Sequence, residues 1–174
     1  MLIDSSRGNF EDLGNPFAMV CHSGKNEKLV FELIERADNL LNGYYQSYLI
    51  DLGIAAFDFW NYKEAASAVL VEDAIHGYMR RAALGINMIS AEFLASAKCR
   101  EELEYFTSLG RACLYRIGPL PKNHKVEIEG ITGRVMLPWG DQSFADCTTE
   151  PEKAEFARVI AEDIIKWIRR IIGA

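Results

Sequence analysis

Short apolar segments that alternate with single amphipathic segments constrain the fold of this chain more than any other feature of its sequence. The apolar segments are five or six residues long and are soon followed by Ser, Asp or Gly, as is typical of buried strands. Between them, apolar residues recur every three or four positions, which indicates helices with one buried face. Strands alternating with helices predict βαβ units, a parallel sheet and helices on both faces. We therefore predict a three-layer α/β fold.

Five strands are predicted, and the last is a short edge strand ending at Pro138, where proline is tolerated. Thr148 or Thr149 is expected to cap the last helix, which has Pro151 in its first turn. We expect residues 1–15 to form a polar arm and residues 16–174 a single domain. The predicted strands are 17–21, 53–57, 84–89, 112–117 and 134–138, and the predicted helices between them are 26–41, 70–83 and 96–109.

Composition excludes several classes of protein. The chain has 174 residues, of which 49% are hydrophobic and 25% charged, so one core can hold the fold and disorder is excluded. The net charge of −6 argues against a nucleic-acid partner, which would require a broad basic surface. The four cysteines form no C-x-x-C pair, and no apolar run reaches the length of a membrane span. We expect a cytoplasmic protein with reduced thiols, no metal site and no membrane partner.

In parallel α/β folds, ligands bind at the carboxyl ends of the strands, so the loops at 22–26, 58–66, 90–97 and 118–133 are the candidate sites. The first loop contains His22, Ser23, Gly24 and Lys25 and opens a helix, so its backbone N–H groups could bind a phosphate. A plain structural turn explains the same residues equally well. His22 could act as a base, or it could be an ordinary hydrogen-bonded histidine at a strand end.

The second loop begins with Asp58, Phe59 and Trp60. A carboxylate at a strand end followed by two aromatic residues could bind and stack a planar ring. A capping aspartate beside partly buried aromatic residues is an equally good interpretation.

The third loop leads into a helix that carries Glu102 near its N-terminal end, where the helix dipole favours an anion. Glu102 is adjacent to the inward-facing Leu103, which would place it at the margin of a cleft. The neighbours Glu101 and Glu104 are explained by a solvated acidic face. Periodicity alone does not decide between these two surroundings for Glu102.

The segment MISAEFLASAKCREELEYF resembles the strand-to-helix segment of the Toll/interleukin-1 receptor (TIR) domain family, with its Ser-x-x-Φ-Φ-x-Ser-x-Trp-Cys-x-x-Glu-Leu pattern. FAMVCHSGKN is similar to the family's first strand and loop, and GIAAFDFW to its second strand. Lys98 stands where the family commonly has tryptophan, and Asn26 stands where an acidic residue is frequent. The matching positions are Cys21, His22, Ser23, Asp58, Ser90, Phe93, Leu94, Ser96, Cys99, Glu102 and Leu103.

The resemblance is to stand-alone TIR proteins of the prokaryotic type. It implies a five-stranded parallel sheet in flavodoxin-like order and an enzyme that cleaves the nicotinamide–ribose bond of NAD⁺, as substrate and not cofactor. It also implies a setting in immune or antiphage signalling, self-assembly through TIR–TIR contacts, and a separate sensor or effector protein. Two alternatives remain open: a non-catalytic TIR scaffold, and an enzyme similar to nucleoside deoxyribosyltransferases.

Glu102 is the catalytic residue that the resemblance implies. A carboxylate beside the ribose would stabilise the positive charge that develops there as neutral nicotinamide leaves. Ser23, Gly24 and Lys25 would seat the pyrophosphate or ribose, and Phe59 or Trp60 would stack on nicotinamide or adenine. The other expected substrate-binding residues are His22, Asp58, Ser90, Ser96 and Cys99.

Overall fold

The computed structural model describes residues 15–60, 71–120 and 142–173 of the chain. Within this part, four strands form one all-parallel sheet in the order β2-β1-β3-β4. The strands are β1 (Phe17–Cys21), β2 (Asp58–Trp60), β3 (Leu84–Ile89) and β4 (Ala112–Arg116). The helices are α1 (Glu27–Asn39), α2 (Gln46–Asp51), α3 (Val71–Arg81), α4 (Ala91–Ala95), α5 (Ala97–Ser108) and α6 (Glu150–Ile172).

Helices cover both faces of this sheet, so the α/β prediction is confirmed. Ala18 and Val20 of β1 belong to one buried cluster, which contains the inner faces of α1 and α6. Met19 and Cys21 belong to a second cluster, which contains side chains of α3 and α5. This split follows from the strand geometry, because successive side chains point to opposite faces of a sheet.

Most of the predicted elements are confirmed in place. The predicted bounds of β1 and β3 agree with the structure to the residue, and β4 ends one residue earlier than expected, at Arg116. Ser96 caps α5. Thr149 caps α6 in a capping box, in which each of Thr149 and Glu152 accepts, through its side chain, a hydrogen bond from the backbone N–H of the other. The edge strand expected at 134–138 and nearly all of the expected N-terminal arm lie outside the described residues, so the five-stranded order stays a prediction.

The strand expected at 53–57 is wrong, because the second strand begins only at Asp58. The side chain of Asn42 forms hydrogen bonds with both backbone groups of Phe57. Its Oδ1 accepts from the Phe57 N–H and its Nδ2 donates to the Phe57 carbonyl, each at 2.8 Å. Gly53 turns the chain with φ of 80°. Ile54 and Phe57 therefore belong to a loop, and their apolar side chains pack in the hydrophobic core although they are not in a strand.

Helix α1 is shorter than the predicted 26–41, because the chain passes into a π-helical turn at Leu40–Tyr44 and then into α2. Neither α2 nor the short α4 is predicted by the sequence pattern. No described helix combines the length and apolar character that crossing a membrane requires.

The position of α5 depends on a close contact with the sheet. Gly85 of β3 lies directly under Phe106 of α5, and a Cβ atom at residue 85 would lie only 2.2 Å from the ring. The absence of a side chain at Gly85 lets the helix approach the strand. This contact holds the last turn of α5 against the start of β3.

Candidate functional site

A cavity of about 200 Å³ lies beside the carboxyl end of β1. One wall comes from β1 and the loop that follows it, and the other comes from the first two turns of α5. The cavity is lined by Met19, Val20, His22, Ser23, Gly24, Ser96, Lys98, Cys99 and Glu102.

Glu102 is the buried acidic group of this cavity, with only 8% of its surface exposed. It lies one helical turn after Lys98 on the same face of α5, since residues four positions apart in a helix are neighbours. Ser96 sets where this helix begins, because its Oγ accepts a hydrogen bond from the Cys99 N–H at 3.3 Å. The start of α5 therefore fixes which side chains face the cavity.

Burial raises the pKa of the Glu102 carboxyl above its usual value. The nearby charge of Glu101 raises the pKa further, whereas the nearby Cys21 thiol and the Lys98 ammonium group lower it. Removing a charge from water disfavours the ionised form, and only part of that penalty is offset here. A carboxyl group tuned in this way suits acid–base chemistry or the stabilisation of a developing positive charge.

The two thiols near Glu102 are poor nucleophiles. Burial raises the pKa of Cys21 well above its usual value, and the charge of Glu102 adds to this effect. Burial likewise raises the pKa of Cys99. Because the thiolate is the reactive form, both side chains stay protonated and inert at neutral pH. Among the described residues, no group of three or more His, Cys, Asp or Glu side chains is arranged to hold a metal ion.

The loop after β1 forms the opposite wall. Ser23 caps a short 3₁₀ turn at Gly24–Asn26, and its Oγ accepts from the Lys25 N–H at 3.4 Å. The ring of His22 is buried, with Nδ1 at 3.1 Å from the Ser23 carbonyl, and it contacts Phe31 edge to face. Lys25 is the exposed middle residue of this turn and does not line the cavity.

Most of the predicted site residues meet in this cavity, and Ser90 lies next to it as a structural link. The Ser90 hydroxyl donates to Asn26 Oδ1 at 2.6 Å and accepts from the Phe93 N–H at 3.0 Å. Ser90 therefore caps α4 and ties the loop after β1 to the end of β3. The residues that the structure brings together are His22, Ser23, Gly24, Ser96, Cys99 and Glu102.

Asp58, Phe59 and Trp60 do not join them. Asp58 begins β2 opposite Phe17, the first residue of β1, so the expectation that it ends a strand is wrong. One face of Trp60 is covered by Tyr78, whose ring stacks on it at 4.0 Å.

These three residues line a different cavity, of about 760 Å³. It is the larger of the two, but of its acidic side chains Glu35 and Asp58 are exposed, and the half-buried Asp38 accepts a hydrogen bond from Asn42. The smaller cavity is the better candidate because it surrounds a buried carboxylate.

Sequence reasoning missed Met19, Val20 and Lys98 as lining residues. Met19 and Val20 are ordinary strand residues, and nothing in their type marks a site. Lys98 carried a usable signal, because the spacing of four residues places it on the same helical face as Glu102.

No protein-family model, curated protein or solved structure matches this chain. The residues of the cavity and the sequence motif that contains them are therefore the features of this chain that indicate its function.

Proposed function

We propose that this protein cleaves the nicotinamide–ribose bond of NAD⁺, with Glu102 as the catalytic carboxylate. The observation that carries the proposal is the burial of Glu102 in a cavity at the carboxyl end of a parallel strand, where α/β folds bind ligands. The motif around Glu102 supports it, because Ser96, Cys99 and Glu102 have the spacing found in TIR domains and line the same cavity.

The chemistry requires one anionic group beside the ribose. When the bond between ribose C1′ and the pyridinium nitrogen breaks, its electron pair goes to nicotinamide, which leaves as a neutral molecule. The ribose is left with oxocarbenium character, which the ionised Glu102 would stabilise. Water then adds to C1′ and releases a proton to solvent, which gives ADP-ribose. If a nucleophile within the same molecule adds to C1′ instead and loses its proton, the product is a cyclised ADP-ribose. No general acid is needed for the leaving group.

The finer fold forms part of the same proposal. The described order β2-β1-β3-β4 agrees with the first four strands of the flavodoxin-like arrangement, and a fifth strand at 134–138 would complete it beside β4. A cytoplasmic protein of this kind would act in immune or antiphage signalling. It would assemble through contacts between copies and respond to a separate sensor or supply a separate effector.

Nicotinamide release, measured by chromatography, tests the role of Glu102. We expect Glu102→Gln, which keeps the shape and removes the charge, to lower the rate by about 100-fold to 1,000-fold. Glu104→Gln is the matched control, because Glu104 is an exposed glutamate on the same helix. Equal turnover by the wild type and Glu102→Gln would refute the assignment. The assay is run over a range of protein concentrations, because self-assembly would complete the site.

Product analysis separates the proposed function from its alternatives. ADP-ribose indicates a hydrolase, and a cyclic isomer indicates a cyclase. A scaffold would self-associate with no loss of NAD⁺ at any protein concentration. An enzyme of the nucleoside deoxyribosyltransferase type would exchange the base of a deoxynucleoside and leave NAD⁺ intact.

A further inference from the structure

Lys98 occupies a position that helix energetics disfavour. It is the second residue of α5, at the positive end of the helix dipole, and the first turn of this helix contains no acidic residue. Lys98 also precedes Glu102 by four residues, the less favourable order for an ion pair on a helix. Among the described residues, no carboxylate forms an ion pair with Lys98. The stability of the helix therefore does not explain this lysine.

The cavity is lined by one negatively charged and one positively charged side chain. Glu102 is buried at the inner end, and the side chain of Lys98 lines the cavity from an exposed position one turn earlier. Ser23 and Gly24 face α5 from the other wall. The backbones of Lys98 and Glu102 are about 6 Å apart along the helix axis, and the long lysine side chain can reach an anion that lies beyond the carboxylate. A matching ligand carries a positive centre next to the carboxylate and an anion about one sugar ring away.

We propose that Lys98 determines the substrate class by binding the phosphate on the 5′ carbon of the ribose whose glycosidic bond Glu102 acts on. This inference rests on the proposed function and deepens it. The preferred substrates are ribosides that carry a 5′-phosphate, in a mononucleotide or a dinucleotide, and the corresponding unphosphorylated nucleosides are poor substrates. An ammonium group binds a phosphate oxygen through charge-assisted hydrogen bonds, which supply this discrimination.

Three substrates with the same glycosidic bond test the inference: NAD⁺, nicotinamide mononucleotide and nicotinamide riboside. We expect the wild type to have a kcat/KM at least about 10-fold higher for the two phosphorylated substrates. Because Lys98 also lowers the pKa of Glu102, the comparison is made on the alkaline plateau of the pH–rate profile, where Glu102 is ionised in both proteins. There, Lys98→Gln should lower kcat/KM for those two by about 10-fold to 100-fold, mainly through KM, and should change the value for the riboside by less than about 2-fold. Arg100→Gln, an exposed cation on the same helix, is the matched control.

A binding measurement makes the inference testable without turnover. Ribose 5-phosphate and ribose are titrated into the wild type and into Lys98→Gln, and the affinities are read from amide shifts in the loop after β1. We expect the preference for ribose 5-phosphate to fall by about 10-fold or more in the variant. Equal preference in the two proteins, or an equal loss on nicotinamide riboside and NAD⁺, would overturn the role of Lys98. Failure of the wild type to cleave any of the three substrates would overturn the proposed function instead.

Discussion

At Glu102, the charge that the proposed chemistry requires lowers the stability of the folded protein, because the carboxyl group is buried. Its pKa is raised in the folded protein, chiefly by burial, so the folded state holds this proton more tightly than the unfolded chain does. The stability that the group contributes is therefore fully present below the unfolded pKa of about 4.3 and is lost as pH rises through the folded pKa. Above the folded pKa the ionised carboxylate opposes folding, while the proposed chemistry requires that ionised form.

Glu102→Gln should consequently raise the stability of the protein at neutral pH, by about 1 kcal/mol, a gain typical of relieving a functional site. The gain should disappear at low pH, where the wild-type carboxyl is protonated and resembles the amide. Urea unfolding of both proteins between pH 4 and pH 8 measures this difference, with Glu104→Gln as the exposed control. A variant less stable than the wild type at pH 8 would contradict this account of the site.

At the same scale, the sequence pattern correctly predicts the helix α5 that brings three residues to the candidate cavity, whereas it places Asp58 at the wrong end of a strand. Ser96, Cys99 and Glu102 lie within seven consecutive residues, and one local helix positions all three. The loop residues His22 and Ser23 follow directly from a correctly predicted strand. Asp58, by contrast, was assigned to a strand end, and its true place at a strand start depends on a contact with a distant side chain.

Asn42 is that side chain, and it decides where β2 begins. The asparagine sits in the π-helical turn after α1 and satisfies both backbone groups of Phe57, fifteen residues later. A run of apolar residues such as 53–57 fits a strand and a buried loop equally well, and periodicity cannot separate the two. The long-range hydrogen bonds of Asn42 are invisible to a local pattern, so this part of the fold could not be predicted.

Replacing this asparagine should therefore weaken the loop and the edge strand together. Asn42→Ala leaves the N–H and the carbonyl of the buried Phe57 without their partner, which costs about 1–3 kcal/mol. Asn42→Asp should lose at least as much, because its carboxylate would face the Phe57 carbonyl and the Asp38 carboxylate, both of which now accept from Asn42 Nδ2. Urea unfolding gives the loss in stability, and hydrogen exchange at Phe57 and Asp58 locates it. An alanine variant as stable as the wild type, with unchanged exchange at both amides, would contradict this role for Asn42.

For the whole molecule, the alternation of strands and helices was sufficient to predict the α/β class, but not the order of the strands. A buried strand followed by a helix has the same local sequence pattern whichever position the strand takes in the sheet. The position of β1 between β2 and β3 depends on which strands pair, and hence on contacts between segments more than forty residues apart. The sequence pattern therefore predicts parallel strands with helices on both faces and leaves their neighbours undetermined.

Because the two buried clusters pack on opposite faces of one sheet, we expect the described part of the fold to unfold as a unit. Strands β1 and β4 send side chains to both buried clusters, so neither face can lose its packing while the strands stay in place. Trp60 belongs to the cluster around α3 and α5, and Trp167 packs against the cluster around α1 and α6. A tryptophan on each face can therefore report on its own core.

Two double variants isolate these reporters: Trp139→Phe with Trp167→Phe leaves Trp60, and Trp60→Phe with Trp139→Phe leaves Trp167. Within each variant, we expect the urea midpoint from tryptophan fluorescence to coincide with the midpoint from far-ultraviolet circular dichroism, as in a two-state transition. Comparing the two probes within one protein removes any difference in stability between the variants. A fluorescence midpoint well below the circular dichroism midpoint in either variant would mean that the cluster on one face of the sheet unfolds before the rest of the protein. The cavity beside Glu102, which lies on the α5 face, could then be lost while the α6 face stayed folded.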